Sequence, residues 1–376
     1  MNRKTLIFVI IILTLVLAGE LVFVGYMEFN REQIPSLNDP TVSQTEDTTP
    51  TDAPETEATT LPTEAPVEET EETLPTETEP EQNRYLLTFV GDCTLGNSVQ
   101  HQYTSGGFNN VVGEDYNYNF QNVGEYFAND DFTMINLEGV LGEEGWPAGK
   151  AFEFRGPSGY INILTGGSVE ALTLANNHAR DYGQRGYDRT VALLEEAGIG
   201  YVEKDKTAMF TTERGLTIGV FGACFTYPEN MAEIVTGLRE EGAEIVIYAI
   251  HWGAEGSYEP RSHQVQQAYD AIDAGVDIVY GHHPHVLQKI EEYNGGIIYY
   301  SMGNFCFGGN QSPPDYDTVI LQQQVISHPD GAVELGELTV IPASISSSDE
   351  INNYQPTPYE PGSEEYERTM GKLFRD

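Results

Sequence analysis

Short apolar runs alternate with amphipathic stretches from Tyr85 onwards, and this alternation constrains the fold more strongly than any other feature of the sequence. The apolar runs predict buried strands, and the amphipathic stretches predict helices between them. A chain that passes from strand to helix to strand builds an α/β domain with an at least partly parallel sheet. The predicted strands are 85–90, 134–137, 171–175, 216–222, 245–250 and 278–280, and the predicted helices are 186–197, 229–241 and 262–274.

The second half of the sheet is predicted to be antiparallel. Its apolar runs are closely spaced, and the turn signal Asn294-Gly295-Gly296 separates two of them, which is typical of a hairpin. From about Glu350 the sequence is rich in Pro and Glu, and it predicts either a peripheral wrap or a loose tail. The later predicted strands are 286–293, 297–300, 319–326 and 333–340.

The first 30 residues predict a membrane anchor. Arg3 and Lys4 precede a nearly uninterrupted apolar run over residues 6–25, which is long enough as a helix to cross a bilayer. The positive flank favours a cytoplasmic N-terminus and an extracytoplasmic remainder, at the bacterial cell surface. The alternative is a cleaved signal peptide with residues 6–18 as its apolar core. Either alternative places the rest of the chain outside the cytoplasm.

Residues 31–83 predict a disordered, acidic linker. Thr, Glu and Pro dominate it, and residues 32–83 hold 15 acidic side chains and no Lys or Arg. Such a segment has too few apolar groups to order its backbone. It is expected to be an extended stalk, or alternatively a tail without a spacing role. The domain boundaries that follow are a folded domain over 84–345 and a C-terminal peripheral tail over 346–376.

Composition excludes several classes of protein. With 18 Lys and Arg against 59 Asp and Glu, the formal charge of the 376-residue chain is −41, so nucleic acid is not an expected partner. The three cysteines form neither a disulfide framework nor CxxC pairs, and they are expected to be buried small side chains. The sequence has no GxSxG elbow, no P-loop and no GxGxxG after a strand. An anionic substrate would need a local positive centre, such as a metal ion.

Polar residues follow the predicted strands, where the carboxyl ends of parallel strands meet. Carboxylate, amide and imidazole ligands suit one or two divalent ions, namely Mn, Zn, Fe or Mg. His283 and His285 flank Pro284, so an extended backbone is expected to point both imidazoles to one side. His282 is then either a third ligand or, as the favoured alternative, an outward residue that supports a ligand without binding the metal. The segments are Gly91-Asp92, Asn136-Leu137-Glu138-Gly139, Asn176-Asn177-His178 with Asp181, His251-Trp252-Gly253 and Gly281-His282-His283-Pro284-His285.

Seven sequence blocks between Leu86 and Phe307 resemble the CapA family of poly-gamma-glutamate capsule proteins. The resemblance implies a calcineurin-like metallophosphatase fold, a four-layer α/β/β/α sandwich with a metal centre at the strand ends. It also implies a membrane-attached, outward-facing protein that acts in the synthesis, export or anchoring of poly-gamma-glutamate. The blocks, in chain order, are GDCTLG, INLEGVL, FRGP, LANNHARDYG, HWGAEGSYEP, GHHPHVLQ and YSMGNF.

The same resemblance implies roles for individual residues. His178 would be the catalytic acid or base, and Arg155 and Asn304 would bind substrate; the alternatives are a surface ion pair for Arg155 and a turn residue for Asn304. The chain departs from the general Asp-x-His pattern because Cys93 and Thr94 follow the first aspartate, which leaves a one-metal centre open. The implied metal ligands are Asp92, Glu138, Asn177, His251, His283 and His285.

Three functions follow as hypotheses. The first is a membrane-anchored protein with a metal-dependent hydrolase-type site in poly-gamma-glutamate capsule assembly, with the anionic polymer and other membrane capsule-synthesis subunits as partners. The second is a metal-dependent phosphoesterase that acts on an external phosphate ester. The third is a non-catalytic polymer-binding or assembly subunit.

Overall fold

The structure is a computed structural model, and it describes residues 82–101 and 104–375. The predicted anchor over residues 1–30 and nearly all of the predicted linker lie outside these residues. Within the described part of the chain, no helix is long and apolar enough to span a membrane.

The described residues form seventeen strands, seven α-helices and two short 3-10 helices. The strands are β1 (Asn83–Cys93), β2 (Asn97–Ser98), β3 (Phe132–Leu137), β4 (Val140–Leu141), β5 (Phe154–Gly156), β6 (Ala171–Thr173), β7 (Gly200–Val202), β8 (Lys206–Thr211), β9 (Thr217–Cys224), β10 (Ile245–His251), β11 (Ile278–His282), β12 (Ile290–Tyr293), β13 (Gly296–Tyr299), β14 (Asn304–Cys306), β15 (Asp317–Ser327), β16 (Val333–Ser344) and β17 (Thr357–Pro358). The α-helices are α1 (Phe108–Val112), α2 (Gly124–Ala128), α3 (Ile161–Gly166), α4 (Gly183–Ala197), α5 (Met231–Glu240), α6 (Ser262–Asp273) and α7 (Glu364–Leu373), and the 3-10 helices are Val99–His101 and Ser158–Tyr160.

Two large sheets and one small sheet organise these strands. The first sheet has the order β17-β16-β15-β1-β3-β6-β7, with β14 also paired to β1. The second has the order β12-β13-β11-β10-β9-β8, and β2, β5 and β4 form the small sheet. In each large sheet the central strands are parallel, whereas β15 and β16 pair antiparallel and β12 and β13 form an antiparallel hairpin. The predicted mixture of parallel and antiparallel pairing is confirmed.

The two large sheets pack face to face, with helices on their outer surfaces. Successive side chains of β1 point into two different hydrophobic cores. Phe89 packs with Met134 and Ile247 between the two sheets, whereas Val90 belongs to a core on the outer face of the first sheet. Helices α1 to α4 contribute to that outer core, and α5 and α6 cover the second sheet. The fold is therefore a mixed α/β structure with helix, sheet, sheet and helix layers.

Residues after Glu350 form a wrap rather than a loose tail. Tyr354 is fully buried, and its hydroxyl donates to the carbonyl of Gly106 at 2.8 Å. The Arg368 Nη2 atom lies 2.7 Å from Asp317 Oδ1, which joins α7 to β15. Of the two alternatives drawn from the sequence, these contacts support the wrap.

Gly91 lies where β1 meets the chain before β14, and no larger residue fits there. An added Cβ would lie 2.2 Å from the carbonyl oxygen of Gly303, which accepts the hydrogen bond from the Asp92 amide at 2.8 Å. Gly91→Ala is therefore expected to lower the free energy of unfolding by at least about 3 kcal/mol. The matched control is Gly237→Ala in α5, where the added methyl meets no atom within 4 Å and should raise stability by about 0.5–1 kcal/mol. Urea unfolding measures both changes, and equal effects would contradict the steric argument.

Asp130 makes folding stability depend on pH. Burial raises its pKa to about 7, although hydrogen bonds from Thr88 and Thr133 oppose the rise. The folded chain thus keeps a proton that the unfolded chain loses, so stability falls as pH rises from about 4 to about 7. Asp130→Asn should match the wild type near pH 4 and exceed its free energy of unfolding by about 1–2 kcal/mol at pH 8. Urea titrations at both pH values test this, and no gain at pH 8 would refute it.

Candidate metal centre

The carboxyl ends of five parallel strands in the two sheets supply the polar side chains of one buried cluster. Asp92 lies near the end of β1, and Glu138 directly follows β3. His178 follows β6, whereas His251 is the last residue of β10 and pairs in register with His282 at the end of β11. Neighbouring parallel strands have their carboxyl ends at the same edge of a sheet. Strands that are distant in sequence therefore bring these side chains together.

Asp92 is held by several neighbours at an irregularity in β1. The register of β1 shifts on both sides of Asp92, as it does at a β-bulge, which re-aims a side chain. The carboxylate is fully buried: Asn136 Nδ2 donates to Oδ1 at 2.8 Å, and His282 Nδ1 lies 2.7 Å from the same oxygen. His285 Nδ1 lies 3.2 Å from Oδ2. His282 thus supports the candidate ligand Asp92, as one of the two predicted alternatives expects, but its side chain points inward rather than outward.

Glu138 lies among three imidazoles. Its Oε1 atom is 3.4 Å from His251 Nε2, 3.8 Å from His285 Nε2 and 3.9 Å from His178 Nε2. The Glu138 side chain is fully buried, and neither of its oxygens has a hydrogen-bond partner among the described residues. A buried carboxylate without partners carries a large desolvation cost unless a cation balances it.

The backbone around Pro284 is not extended, so the predicted extended segment over His283 and His285 is wrong. His283 and His285 have φ values of 96° and 57°, in the left-handed region that non-glycine residues rarely adopt. Tertiary contacts, not an extended strand, bring both imidazoles to Glu138. Each of these three residues offers one ligand atom, and the three atoms lie within 4.8 Å of one another.

The donor set fits a divalent ion. Asp92, Glu138 and His251 form a second group whose ligand atoms lie within 4.8 Å of one another, so Glu138 is common to both groups. Buried ligand atoms without a hydrogen-bond partner within the described ranges fit a bound cation, and mixed carboxylate, amide and imidazole ligands suit Zn, Mn or Fe. These atoms are Asp92 Oδ2, both Glu138 oxygens, Asn177 Oδ1, both His251 nitrogens, His282 Nε2 and His283 Nδ1.

The pKa values of the two carboxyl groups are shifted in opposite directions. Burial raises the pKa of Asp92, but the hydrogen bond with His282 and the close charges of His282 and His285 outweigh it and hold that pKa well below its usual range. Burial raises the pKa of Glu138 to about 8, with His285 opposing the rise and the charge of Asp92 adding to it. A carboxyl that holds its proton near neutral pH must lose it to bind an ion, so ion binding is expected to release protons.

The pKa values of three histidines in the cluster are also shifted in opposite directions: two are lowered and one is raised. Burial lowers the pKa of His251 well below its usual range, and burial with the charges of His251 and His285 lowers that of His283 to about 3. Burial also opposes protonation of His285, but the charge of Glu138 and the close contact with Asp92 raise its pKa to about 9. Neutral His251 and His283 are therefore ready ligands at pH 7.

His178 is oriented by Asp181. Its Nδ1 atom lies 2.7 Å from Asp181 Oδ2, and because a carboxylate only accepts, the hydrogen-bond network assigns the proton to Nδ1. Nε2 is then free to accept a proton on the side of Glu138. The fully buried Asp181 carboxylate also accepts from Lys150 Nζ at 2.7 Å and from the Phe154 amide at 2.8 Å.

A relay of buried amides joins Asp92 to the His178 loop. Asn136, which donates to Asp92, accepts from Asn176 Nδ2 at 2.9 Å, and Asn176 Oδ1 accepts from the backbone amide of His178 at 3.0 Å. Asn177 lies between these two residues, and its carbonyl accepts from Lys150 Nζ at 2.6 Å. The relay fixes the loop that carries Asn177 and His178 relative to Asp92.

Asn304 and Arg155 occupy different positions. Asn304 lines a cavity of about 250 Å³ together with His178 and His285, and its Oδ1 atom lies 3.0 Å from His285 Nδ1, so it orients that imidazole.

The Arg155 guanidinium lies 3.9 Å over the ring of Tyr182 and lines a separate cavity. Its position does not support the predicted role as an anion clamp at the cluster. Residues alternate along β5, and Phe154, not Arg155, faces His178.

Sequence reasoning missed three residues that contact the site. Asp181 was noted in the loop after β6 without a role, and its spacing of three residues from His178 was the available signal. Lys150 lies in a glycine-rich loop without a recognisable motif. Phe225, at a left-handed φ of 58°, packs its ring 4.8 Å from that of His283, and no sequence pattern indicates this contact.

The fold and the cluster together define a mixed α/β protein with a candidate metal centre at the carboxyl ends of its strands. The family described as bacterial capsule synthesis protein PGA_cap matches residues 86–309. The chain therefore belongs to this family, as the seven sequence blocks predicted.

Curated relatives show the same relationship. The capsule biosynthesis protein CapA of Bacillus anthracis is 30% identical over 257 residues, which cover 60% of this chain and 61% of that protein. The PGA biosynthesis protein CapA of Bacillus subtilis (strain 168) is 32% identical over 245 residues, 58% of this chain and 62% of that protein. The matched part thus spans about three fifths of the length of these relatives. Among solved structures, the NAD nucleotidase of Haemophilus influenzae aligns with a TM-score of 0.38 and 12% identity over 78% of this chain and 56% of that chain, which is too weak to support an argument.

Proposed function

We propose that this chain is a membrane-anchored, extracytoplasmic protein with a metal-dependent hydrolase-type site that acts in poly-gamma-glutamate capsule synthesis, export or anchoring. One observation carries the proposal: in a member of the capsule synthesis family, buried carboxylate and imidazole groups without partners converge on Glu138. The relatives named for capsule and PGA biosynthesis support the choice of polymer. The apolar run over residues 6–25 supports the anchor.

The proposed chemistry assigns each residue a task. A divalent ion held by Asp92, Glu138, Asn177, His251, His283 and His285 would polarise an acyl or phosphoryl oxygen and activate a water molecule. His178 accepts a proton at Nε2 from the attacking group and returns it to the leaving group. Asp181 keeps the His178 proton on Nδ1, and Asn304 fixes the ring of His285.

Restoration of polymer in cells tests this function. The full chain, expressed in a poly-gamma-glutamate-producing bacterium that lacks its own relative, is expected to restore surface polymer, whereas Glu138→Gln is expected not to. The matched control is Glu240→Gln, an exposed residue of α5 outside the cluster. Equal polymer from the wild type and Glu138→Gln would favour a non-catalytic assembly subunit.

The location of the protein is tested separately. Membrane fractionation should place the full chain in the membrane, with residues after the linker open to added protease in intact cells. Removal of residues 1–30 should release the protein from the membrane. A full chain that resists protease in intact cells would contradict the extracytoplasmic location.

A phosphoesterase is the second candidate, because two ligand groups meet at Glu138. The two groups, Glu138 with His283 and His285 and Glu138 with Asp92 and His251, would hold divalent ions, which would polarise a phosphoryl group. Turnover of an aryl phosphate that His283→Ala abolishes would favour this candidate. No turnover after reconstitution with Mn²⁺ or Zn²⁺ would count against it.

A further inference from the structure

The cavity beside the cluster has an unusual lining for a site that serves an anionic polymer. It measures about 250 Å³, and His178 and His285 form its polar side towards Glu138. Phe152, Phe154 and Phe307 are among its apolar lining residues. Among the described residues that line it there is no Lys or Arg. An anionic group in this cavity would therefore find no Lys or Arg, and the imidazoles of His178 and His285 are the lining groups able to carry positive charge.

Two carboxylates line the same cavity, and only one of them is paired. Both oxygens of Asp315 accept from Lys372 Nζ, at 2.7 and 2.6 Å, and Oδ2 also accepts from the Tyr258 hydroxyl at 2.9 Å. Glu255 is exposed to solvent and forms no ion pair with any residue that the structure describes. Glu255 is thus the lining carboxylate that remains available to a ligand.

Hydrogen bonds to the neighbouring loop and to a buried glutamine pair hold the turn that carries Glu255. The Gly256 amide donates to the Pro284 carbonyl at 2.8 Å, which joins this turn to the loop of His283 and His285. Gln288 Nε2 donates to the Ser257 carbonyl at 2.7 Å, and the fully buried Gln264 donates to Gln288 at 3.2 Å. A rigid turn therefore presents the Glu255 carboxylate at the edge of the candidate metal centre.

We propose that Glu255 is a specificity-determining residue that binds an ammonium group of the substrate beside the metal centre. This inference rests on the proposed function of the same site. A carboxylate attracts a substrate ammonium and repels a carboxylate or phosphate at the same position, and the acidic chain as a whole adds to both effects. In a gamma-linked glutamate polymer the ammonium group is at the amino terminus, so the polymer would enter this cavity by that end.

A matched pair of ligands tests this proposal. The full-length chain, loaded with Mn²⁺, is titrated with a gamma-linked glutamate pentamer whose amino terminus is either free or acetylated. The wild type should bind the free form more tightly by about fivefold, the size expected for a partly exposed charge-assisted hydrogen bond. Glu255→Gln should bind the two forms equally. Glu240→Gln, which removes the same charge from the exposed side of α5, should keep the wild-type preference.

The outcomes separate this inference from the proposed function. Equal binding of both pentamers by the wild type, or a preference that survives in Glu255→Gln, would overturn the role of Glu255. Binding of neither pentamer would overturn the polymer as ligand, and a second pair then decides the role of Glu255. Phosphoethanolamine and ethyl phosphate differ by the ammonium group: a preference for the first that Glu255→Gln loses supports the inference, and no preference refutes it.

Discussion

Asp92→Asn is expected to lose tightly bound divalent metal. Asp92 is fully buried, contacts His282 and His285, and belongs to one of the two ligand groups around Glu138. The substitution keeps the size of the side chain but removes the charge that balances a cation, so the affinity should fall by at least about a hundredfold. Elemental analysis after reconstitution with Mn²⁺ or Zn²⁺ should give near-stoichiometric metal in the wild type and little in the variant.

Thermodynamic stability gives a second readout of the same prediction. An ion that binds only the folded chain raises the free energy of unfolding by about 2.7 kcal/mol at a concentration one hundred times its dissociation constant. Added metal should therefore stabilise the wild type and leave Asp92→Asn nearly unchanged. Asp188→Asn, in an exposed position on α4, is the control and should behave like the wild type. A wild type that binds no metal, or a variant that binds it equally, would remove the catalytic interpretation.

The sequence was sufficient to find the longer strands and the polar residues that follow them, but not short strands such as β2, β4 and β5. Asp92, Glu138, His178 and His251 lie at or shortly after the ends of apolar runs, and the rule that parallel strands end at one edge is enough to group them. The backbone of His283 and His285 could not be predicted, because left-handed φ values at non-glycine residues depend on tertiary contacts.

Short strands explain why the direction of the Arg155 side chain could not be predicted. The sheet of β2, β4 and β5 has strands of only two or three residues, which leave no periodic pattern in a sequence. The pairing of Asn97 with Arg155 determines which side of β5 faces the cluster, and this pairing cannot be predicted from the sequence. Phe154 packs against the ring of His178, and Arg155 stacks on Tyr182 instead. The sequence indicated the correct segment, and only the structure shows the direction of its side chains.

The amide relay was also beyond sequence reasoning. Asn136 and Asn176 are 40 residues apart, and their hydrogen bond follows from the pairing of β3 with β6. Each asparagine alone is as typical of a turn as of a site. The pairing makes them a connection between the candidate metal ligand Asp92 and the loop of His178.

His178→Ala is expected to reduce turnover by about 10²–10⁴-fold on whichever substrate the wild type hydrolyses, with metal content unchanged. The imidazole Nε2 atom lies 3.9 Å from Glu138 Oε1, so a group bound beside Glu138 is within reach of the imidazole for proton exchange. The matched control is His263→Ala, an exposed residue of α6, which should keep wild-type turnover and polymer yield.

Asp181→Asn separates the position of the His178 proton from the presence of the imidazole. An asparagine can donate its amide to Nδ1, which would leave the proton on Nε2 and remove the free lone pair that faces Glu138. The expected loss in turnover is therefore roughly 10²-fold or more, although the imidazole is still present. Steady-state kinetics with measured metal content test both variants. If His178→Ala and Asp181→Asn both support full polymer production in cells, the centre has no hydrolytic role and the metal would serve only to hold the fold together.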